Sequence, residues 1–293
     1  MHSGDIKPTC NDFRSIARAL TIVENDLQGA SQLLKSLQFD KNTPIVGITG
    51  PPGAGKSTLV NALIEALVKK GNKIAVLAID PTSPFNFGSL LGDRIRMTTH
   101  FNHPDVFIRS LATRGSLGGL SAKTIEMADV LRGAGFDYVL IETVGVGQSE
   151  VEIAGLADIT FVVLVPESGD EIQNIKSGLM EIADAFIINK ADRADADLFT
   201  HNLKKIIQQK GDDHIPVFKT IASKAEGINE VVDFIVSGAN PKNNRKEVLL
   251  AEKAYRIIQQ KRMADVDKKK LQQTIAKAFL NPEFNLYVFL DKF

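Results

Sequence analysis

The sequence predicts an α/β fold, a mostly parallel sheet with helices on both faces, extended by helices at each end of the chain. Three observations predict it. Continuous apolar, β-branched runs recur from residue 44 onward. Amphipathic helical patterns separate most of them, the rhythm of strand–helix–strand crossovers onto a sheet buried on both sides. The first run is joined to the first helical stretch by Gly50-Pro51-Pro52-Gly53-Ala54-Gly55-Lys56-Ser57. That is the pattern G-x-x-x-x-G-K-[ST] in its strand–loop–helix setting, the mark of a P-loop NTPase.

Each element has its own signal. Over residues 11–38, Ile16, Leu20, Val23, Leu27, Leu33, Leu34 and Leu37 fall at helical spacing. Two short helices broken near Asn25-Asp26 fit this, with Asn11 and Asp26 as N-caps. Residues 1–43 thus form an N-terminal helical extension. Residues 44–240 form the nucleotide-binding domain, with strands expected at Ile45–Thr49, Lys73–Ile79, Val106–Ser110, Tyr138–Thr143, Ile159–Pro166, Ala185–Asn189 and Val217–Ile221. Helices are expected at Thr58–Lys70, Ser121–Ala134, Ile172–Ala183, Asp197–Gln209 and Gly227–Ser237. Pro81–His103 has weak periodicity and is too long for an ordinary connection, so a functional loop is expected. After the polar break Gly238–Asn244, residues 241–293 read as a C-terminal helical arm. Its charged helices, Lys246–Lys261 and Asp267–Leu280, stop at Asn281-Pro282. They are either a solvated appendage or an arm for dimerisation or partner binding.

Composition narrows the function. Lys+Arg and Asp+Glu are both 35, so no bulk positive field points to nucleic acid or an anionic membrane. Cys10 is the single cysteine, which excludes an internal disulfide and a cysteine metal site within one chain. A free thiol in a reducing compartment is expected. Met1–Thr9 lacks a signal or presequence pattern, and no apolar stretch of about 18 residues offers a membrane span. A cytoplasmic location is the expectation.

The glycine-rich loop lets several N–H groups point inward at phosphate oxygens, and the following helix adds its positive end. Gly50, Pro51, Pro52, Gly53, Ala54, Gly55, Lys56, Ser57 and Thr58 are the candidate triphosphate contacts. Lys56 would reach the β/γ-phosphates, and Ser57 is placed for Mg²⁺. Asn189-Lys190-Ala191-Asp192 fits N-K-x-D after an apolar strand. Asp192 can accept two hydrogen bonds from guanine N1–H and its exocyclic amine, an arrangement adenine lacks. Asn189 would tie this loop to the phosphate loop, and the Lys190 stem would cover the base. A backbone N–H near Ile221, Ala222 or Ser223 is the candidate donor to guanine O6. The ligand is therefore read as GTP.

Carboxylates at strand ends complete the site. Mg²⁺ takes hard oxygen ligands, and Asp80, Asp93 and Glu142 join Ser57 as candidates. Glu142 heads Glu142-Thr143-Val144-Gly145, a variant of D-x-x-G. Gly145 would offer its N–H to the γ-phosphate and release it after hydrolysis, giving a switch. Lys56, Glu142 and Gly145 are the candidate catalytic groups. Val146 stands where many regulatory GTPases hold a water-orienting Gln, so slow intrinsic hydrolysis is expected. Gln148, Lys176, Arg94, Arg96 and Arg114 are weaker candidates for assisting.

Gly50–Thr58, Ala78-Ile79-Asp80-Pro81 with Gly92-Asp93, Glu142–Glu150 (ETVGVGQSE), Gly169–Lys176 (GDEIQNIK) and Asn189–Asp192 together resemble the MeaB/ArgK/MMAA family, GTPases of the SIMIBI class. The likeness runs from about residue 12 to 280. It implies a G-protein chaperone of adenosylcobalamin-dependent acyl-CoA mutases, chiefly methylmalonyl-CoA mutase. Family members gate cofactor loading, protect or rescue the mutase, and are typically homodimers. By the same resemblance Ser57, Asp80, Asp93 and Glu142 form the Mg²⁺ and switch constellation, and Asp170–Lys176 looks like a further switch. Two other readings stand beside it. A metal-inserting GTPase would show a Cys/His site, for which only His100 and His103 offer a thin pair. A P-loop ATPase or kinase would have to accommodate Asp192.

Overall fold

Seven strands realise the predicted rhythm in one all-parallel sheet. They are β1 (Ile45–Thr49), β2 (Ile74–Asp80), β3 (Val106–Ala112), β4 (Tyr138–Glu142), β5 (Ile159–Leu164), β6 (Ala185–Asn189) and β7 (Val217–Thr220). Their order is β3-β2-β4-β1-β5-β6-β7. This computed structural model describes residues 7–39, 42–80, 98–100, 102–112, 122–143, 152–167, 179–209, 211, 214–238, 246–263, 265–281 and 284–290. Every residue of β1, β5 and β6 is buried, which is why these strands read as unbroken apolar runs. The chain reverses its direction of travel across the sheet at β1, which lies between β4 and β5. In such sheets the ligand crevice opens beyond the strand C-termini at that point.

Helix α3 (Lys56–Lys69) follows β1 directly. It begins two residues earlier than its apolar pattern suggested, because Gly55 takes a left-handed N-cap conformation at φ 85°. Lys56 and Ser57 consequently lie in the first helical turn. Leu59, Leu63, Ile64 and Leu67 of α3 pack with Val46, Ile48, Phe161 and Ile187 of the sheet. Val231, Val232 and Ile235 of α7 (Ile228–Ser237) join the same cluster. The alternate strand residues Ile45, Leu77, Val139 and Ile141 are fully buried outside that cluster, so both sheet faces are covered.

The N-terminal helices α1 (Phe13–Glu24) and α2 (Ala30–Ser36) belong to the core, both packing on α4 (Ala122–Gly133). Ile16, Leu20 and Val23 are wholly buried, and Phe13 meets Phe107 edge-on at a centroid distance of 5.5 Å. Their caps differ from the expected ones. Asp12, not Asn11, caps α1, its Oδ1 accepting from Arg14 N (3.0 Å) and Ser15 N (3.3 Å). Asn11 instead accepts from Lys73 Nζ. Asp26 takes a positive φ of 51° and pairs with Lys123, while α2 starts from left-handed Gly29 without a side-chain cap.

Among the described residues, the helices that follow β5, β6 and β7 are α5 (Leu179–Ile182), α6 (Ala196–Gln209) and α7. Of the stretch Ile172–Ala183, residues 172–178 lie outside the described residues. The chain divides into two compact units, Met1–Lys253 and Ala254–Phe293. Helix α8 (Lys246–Arg262) runs across that division. The second unit also holds α9 (Lys268–Ala278) and a short α10 (Leu286–Leu290) that the sequence pattern did not suggest. Asn285 caps α10 through Tyr287 N at 2.9 Å; the Phe279 ring meets Phe284 edge-on at 5.7 Å, and Phe284 meets Phe289 at a tilt at 5.9 Å. Among the described residues no helix is long and apolar enough to cross a membrane.

Candidate nucleotide site

The sheet's C-terminal rim assembles the candidate residues from separate strands. Gly50, Gly53 and Gly55 all hold positive φ (134°, 78° and 85°), which turns the loop back over the start of α3. A Cβ on Gly55 would lie 2.4 Å from Asn189 Nδ2, so this position admits no side chain. Pro51 and Ala54 are buried, whereas Pro52, Gly53 and Thr58 face solvent. The Lys56 ammonium is buried inside the loop, donating to the carbonyls of Gly50 (2.8 Å) and Pro51 (3.0 Å). Two carbonyls thus fix a cation at the centre of the glycine-rich turn.

Ser57 Oγ donates to Glu142 Oε1 at 2.6 Å, and both residues are more than nine-tenths buried. Glu142 ends β4 in register with Ile48 of β1 and Ala78 of β2. The pairing of adjacent parallel strands therefore brings a carboxylate from β4 to the first turn of α3. A hydroxyl and a carboxylate side by side form a set of hard oxygens suited to Mg²⁺. Asp80 ends β2 by its backbone; its side chain, together with Asp93, Gly145, Val146, Gln148, Arg94, Arg96, Arg114 and the stretch Asp170–Lys176, lies outside the described residues.

The base-side loop is bound to the phosphate loop through Asn189. Its Nδ2 donates to Ala54 O (2.9 Å), while its Oδ1 accepts from Thr220 Oγ1 (3.2 Å) and Ala222 N (3.1 Å). One buried amide thereby joins β6, the phosphate loop and the turn after β7. Lys190, at φ 57°, donates from Nζ to Gly53 O at 2.7 Å. Asp192 is exposed on the same loop, 3.5 Å from Lys224 Nζ. Of the three candidate N–H donors after β7, Ile221 already donates to Glu226 O and Ala222 to Asn189.

Sequence reasoning missed Thr49, Thr143, Thr220 and Lys224. Thr143 Oγ1 donates to Thr49 Oγ1 at 2.9 Å between two fully enclosed residues. A threonine closing an otherwise apolar strand end was the available signal. His100 is buried, and burial holds its pKa below the ordinary histidine value, opposed by the nearby Glu65 carboxylate. His103 Nδ1 accepts from Asp105 N at 3.2 Å. Among the described residues no cluster of three His, Cys, Asp or Glu side chains forms a metal site.

The family model described as methylmalonyl Co-A mutase-associated GTPase MeaB matches residues 16–278. A Pyrococcus abyssi protein, named as a candidate GTPase, is 50% identical over 231 residues, 76% of this chain and 71% of that one. The GTPase ArgK of Escherichia coli is 34% identical over 286 residues, 93% of this chain and 84% of that one. A crystal structure of an LAO/AO transport system kinase superposes with a TM-score of 0.64 at 26% identity, covering 93% of this chain and 84% of that chain.

Proposed function

Because the chain belongs to the MeaB/ArgK family of GTPases, we propose that it is a Mg²⁺-dependent GTPase serving an adenosylcobalamin-dependent acyl-CoA mutase of the methylmalonyl-CoA type. In this reading it acts as the mutase's chaperone and gatekeeper, coupling GTP hydrolysis to cofactor loading and protection. The observation that carries the GTP site is the Asn189 bridge, which holds a guanine-type loop and a phosphate loop in one crevice. The mutase assignment draws on the description of the matched family.

The reaction is GTP + H₂O → GDP + phosphate. The β- and γ-phosphates lie in the turn of Gly50–Thr58, where inward N–H groups, the α3 N-terminus and the Lys56 ammonium offset their charge. Asp192 accepts from guanine N1–H and its amine, Lys190 lies along the base, and Ser223 N–H is the remaining candidate for O6. Ser57 and Glu142, with Asp80 and Asp93, would hold Mg²⁺, which when bound supplies Lewis-acid neutralisation of phosphate charge. Gly145 would offer its N–H to the γ-phosphate and release it after hydrolysis, giving a switch. Valine at 146 has no group to orient water, so turnover is slow until the partner engages.

The same reading places the protein in the cytoplasm as a homodimer. Phe279, Leu280 and Tyr287 of the second unit are 71%, 83% and 79% exposed, an apolar surface that supports a dimerisation role for residues 241–293. Base selectivity tests the nucleotide claim. GTP should be hydrolysed in strong preference to ATP, and Asp192→Asn should erode that preference by about 1–3 kcal/mol. Lys56→Ala should instead weaken every triphosphate. A wild-type preference for ATP would sink the guanine reading and revive an ATPase or kinase.

A further inference from the structure

The hydrogen-bonded ladder between β1 and β4 ends at the pair Ile48↔Glu142, followed by a last backbone bond from Thr143 N to Ile48 O at 3.0 Å. Just beyond it β1 passes into the phosphate loop at Gly50. There the link between the two segments continues through side chains, because Thr143 Oγ1 donates to Thr49 Oγ1 at 2.9 Å. Thr49 is 0% and Thr143 1% exposed, so the bond is shielded from bulk solvent. A hydroxyl pair in so enclosed a place is costly unless satisfied, and valine would fill the same volume without it.

Its position gives the pair a task. Two consecutive residues at the end of β4 grip the two ends of the phosphate loop. Thr143 holds Thr49, immediately before Gly50; Glu142 holds Ser57, immediately after Lys56. The separation of the loop from the Glu142 carboxylate is therefore set at both ends from one short segment. We infer that Thr143 and Thr49 form a hydroxyl clasp that positions Ser57 and Glu142 for turnover of GTP, and that both are positioning residues for hydrolysis. Without the clasp the end of β4 drifts from the loop, and the oxygens of Ser57 and Glu142 lose their fixed spacing. The chemistry slows, while guanine recognition, anchored through Asn189 on β6, is retained. The inference rests on the reading of Ser57 and Glu142 as magnesium ligands.

The test compares full-length wild type with Thr143→Val, Thr49→Val, the double variant and Thr143→Ser, measuring kcat, KM for GTP and the Mg²⁺ concentration for half-maximal rate. Loss of one buried hydrogen bond predicts a kcat about tenfold lower and an Mg²⁺ requirement about tenfold higher, with KM within about threefold. The double variant should be no worse than either single one, since all three remove the same bond. Thr143→Ser should recover the wild-type rate to within about twofold, because it keeps the hydroxyl. Unchanged kcat and Mg²⁺ requirement in both valine variants would overturn the inference. So would failure of both to fold, which would make the clasp a structural element only. Glu142→Gln separates this outcome from the underlying reading: an unaltered Mg²⁺ requirement there would refute the magnesium role of Glu142, whatever the threonine variants do.

Discussion

Replacing Asn189 by alanine removes a side chain that joins three parts of the nucleotide site. The amide gives Nδ2–H to Ala54 O at 2.9 Å and takes hydrogen bonds from Thr220 Oγ1 and Ala222 N at 3.2 and 3.1 Å. The residue is 2% exposed, so water cannot replace those partners without opening the site. At a net value of about 1 kcal/mol for each bond, the variant should lose about 3 kcal/mol of stability. For a unit of this size that corresponds to a fall in Tm of about 6–12 °C. Urea unfolding followed by circular dichroism gives the free-energy change, and titration with a fluorescent GDP analogue gives affinity. The variant should bind GDP at least about tenfold more weakly, because the base and phosphate loops no longer share a fixed spacing. A stability loss below about 1 kcal/mol with unaltered GDP affinity would refute the view that this amide organises the site.

Other positions give independent checks. Gly47→Ala would put a Cβ 2.6 Å from Ile153 Cγ1 and 2.9 Å from Ala157 Cβ, forcing β1 away from the turn Ile153–Gly155. A loss of about 1–3 kcal/mol in urea unfolding is expected, and a neutral result would show that the turn yields freely. Burial holds the His100 pKa below its ordinary value of 6.5, with Glu65 raising it and His103 lowering it. The imidazole is then neutral in both folded and unfolded chains above that value. Below it the unfolded chain binds the proton first, so this contribution to stability is lost as pH falls under 6.5. His100→Gln should consequently lose less stability than wild type between about pH 7 and about pH 5, and equal slopes would contradict the assignment.

Much of this was legible in the sequence for physical reasons. Ile45–Thr49 and Ala185–Asn189 were bounded as observed because a strand buried on both faces needs an unbroken apolar run. The glycine pattern marked the loop, since its positive φ values demand glycine. Where two neighbouring residues offered the same chemistry, sequence could not choose: Asp12 caps α1 although Asn11 had the same propensity. Helix α10 went unrecognised because Leu286–Leu290 is rich in apolar and aromatic residues and too short to show a helical period.

The site's cross-links were less legible. Ser57 with Glu142, and Thr49 with Thr143, are separated by 85 and 94 residues in sequence. They meet only because β4 inserts beside β1, a fact of sheet order rather than of local pattern. Local pattern likewise offered Ile221, Ala222 and Ser223 as equal donors. The tertiary bonds to Glu226 and Asn189 distinguish among them.

The most direct measurement is the steady-state rate of GTP hydrolysis by the purified full-length chain, with and without an adenosylcobalamin-dependent methylmalonyl-CoA mutase. The account predicts slow turnover alone and acceleration by the mutase of about tenfold or more. Rapid hydrolysis by the isolated chain, unaffected by the mutase at saturating concentration, would contradict it.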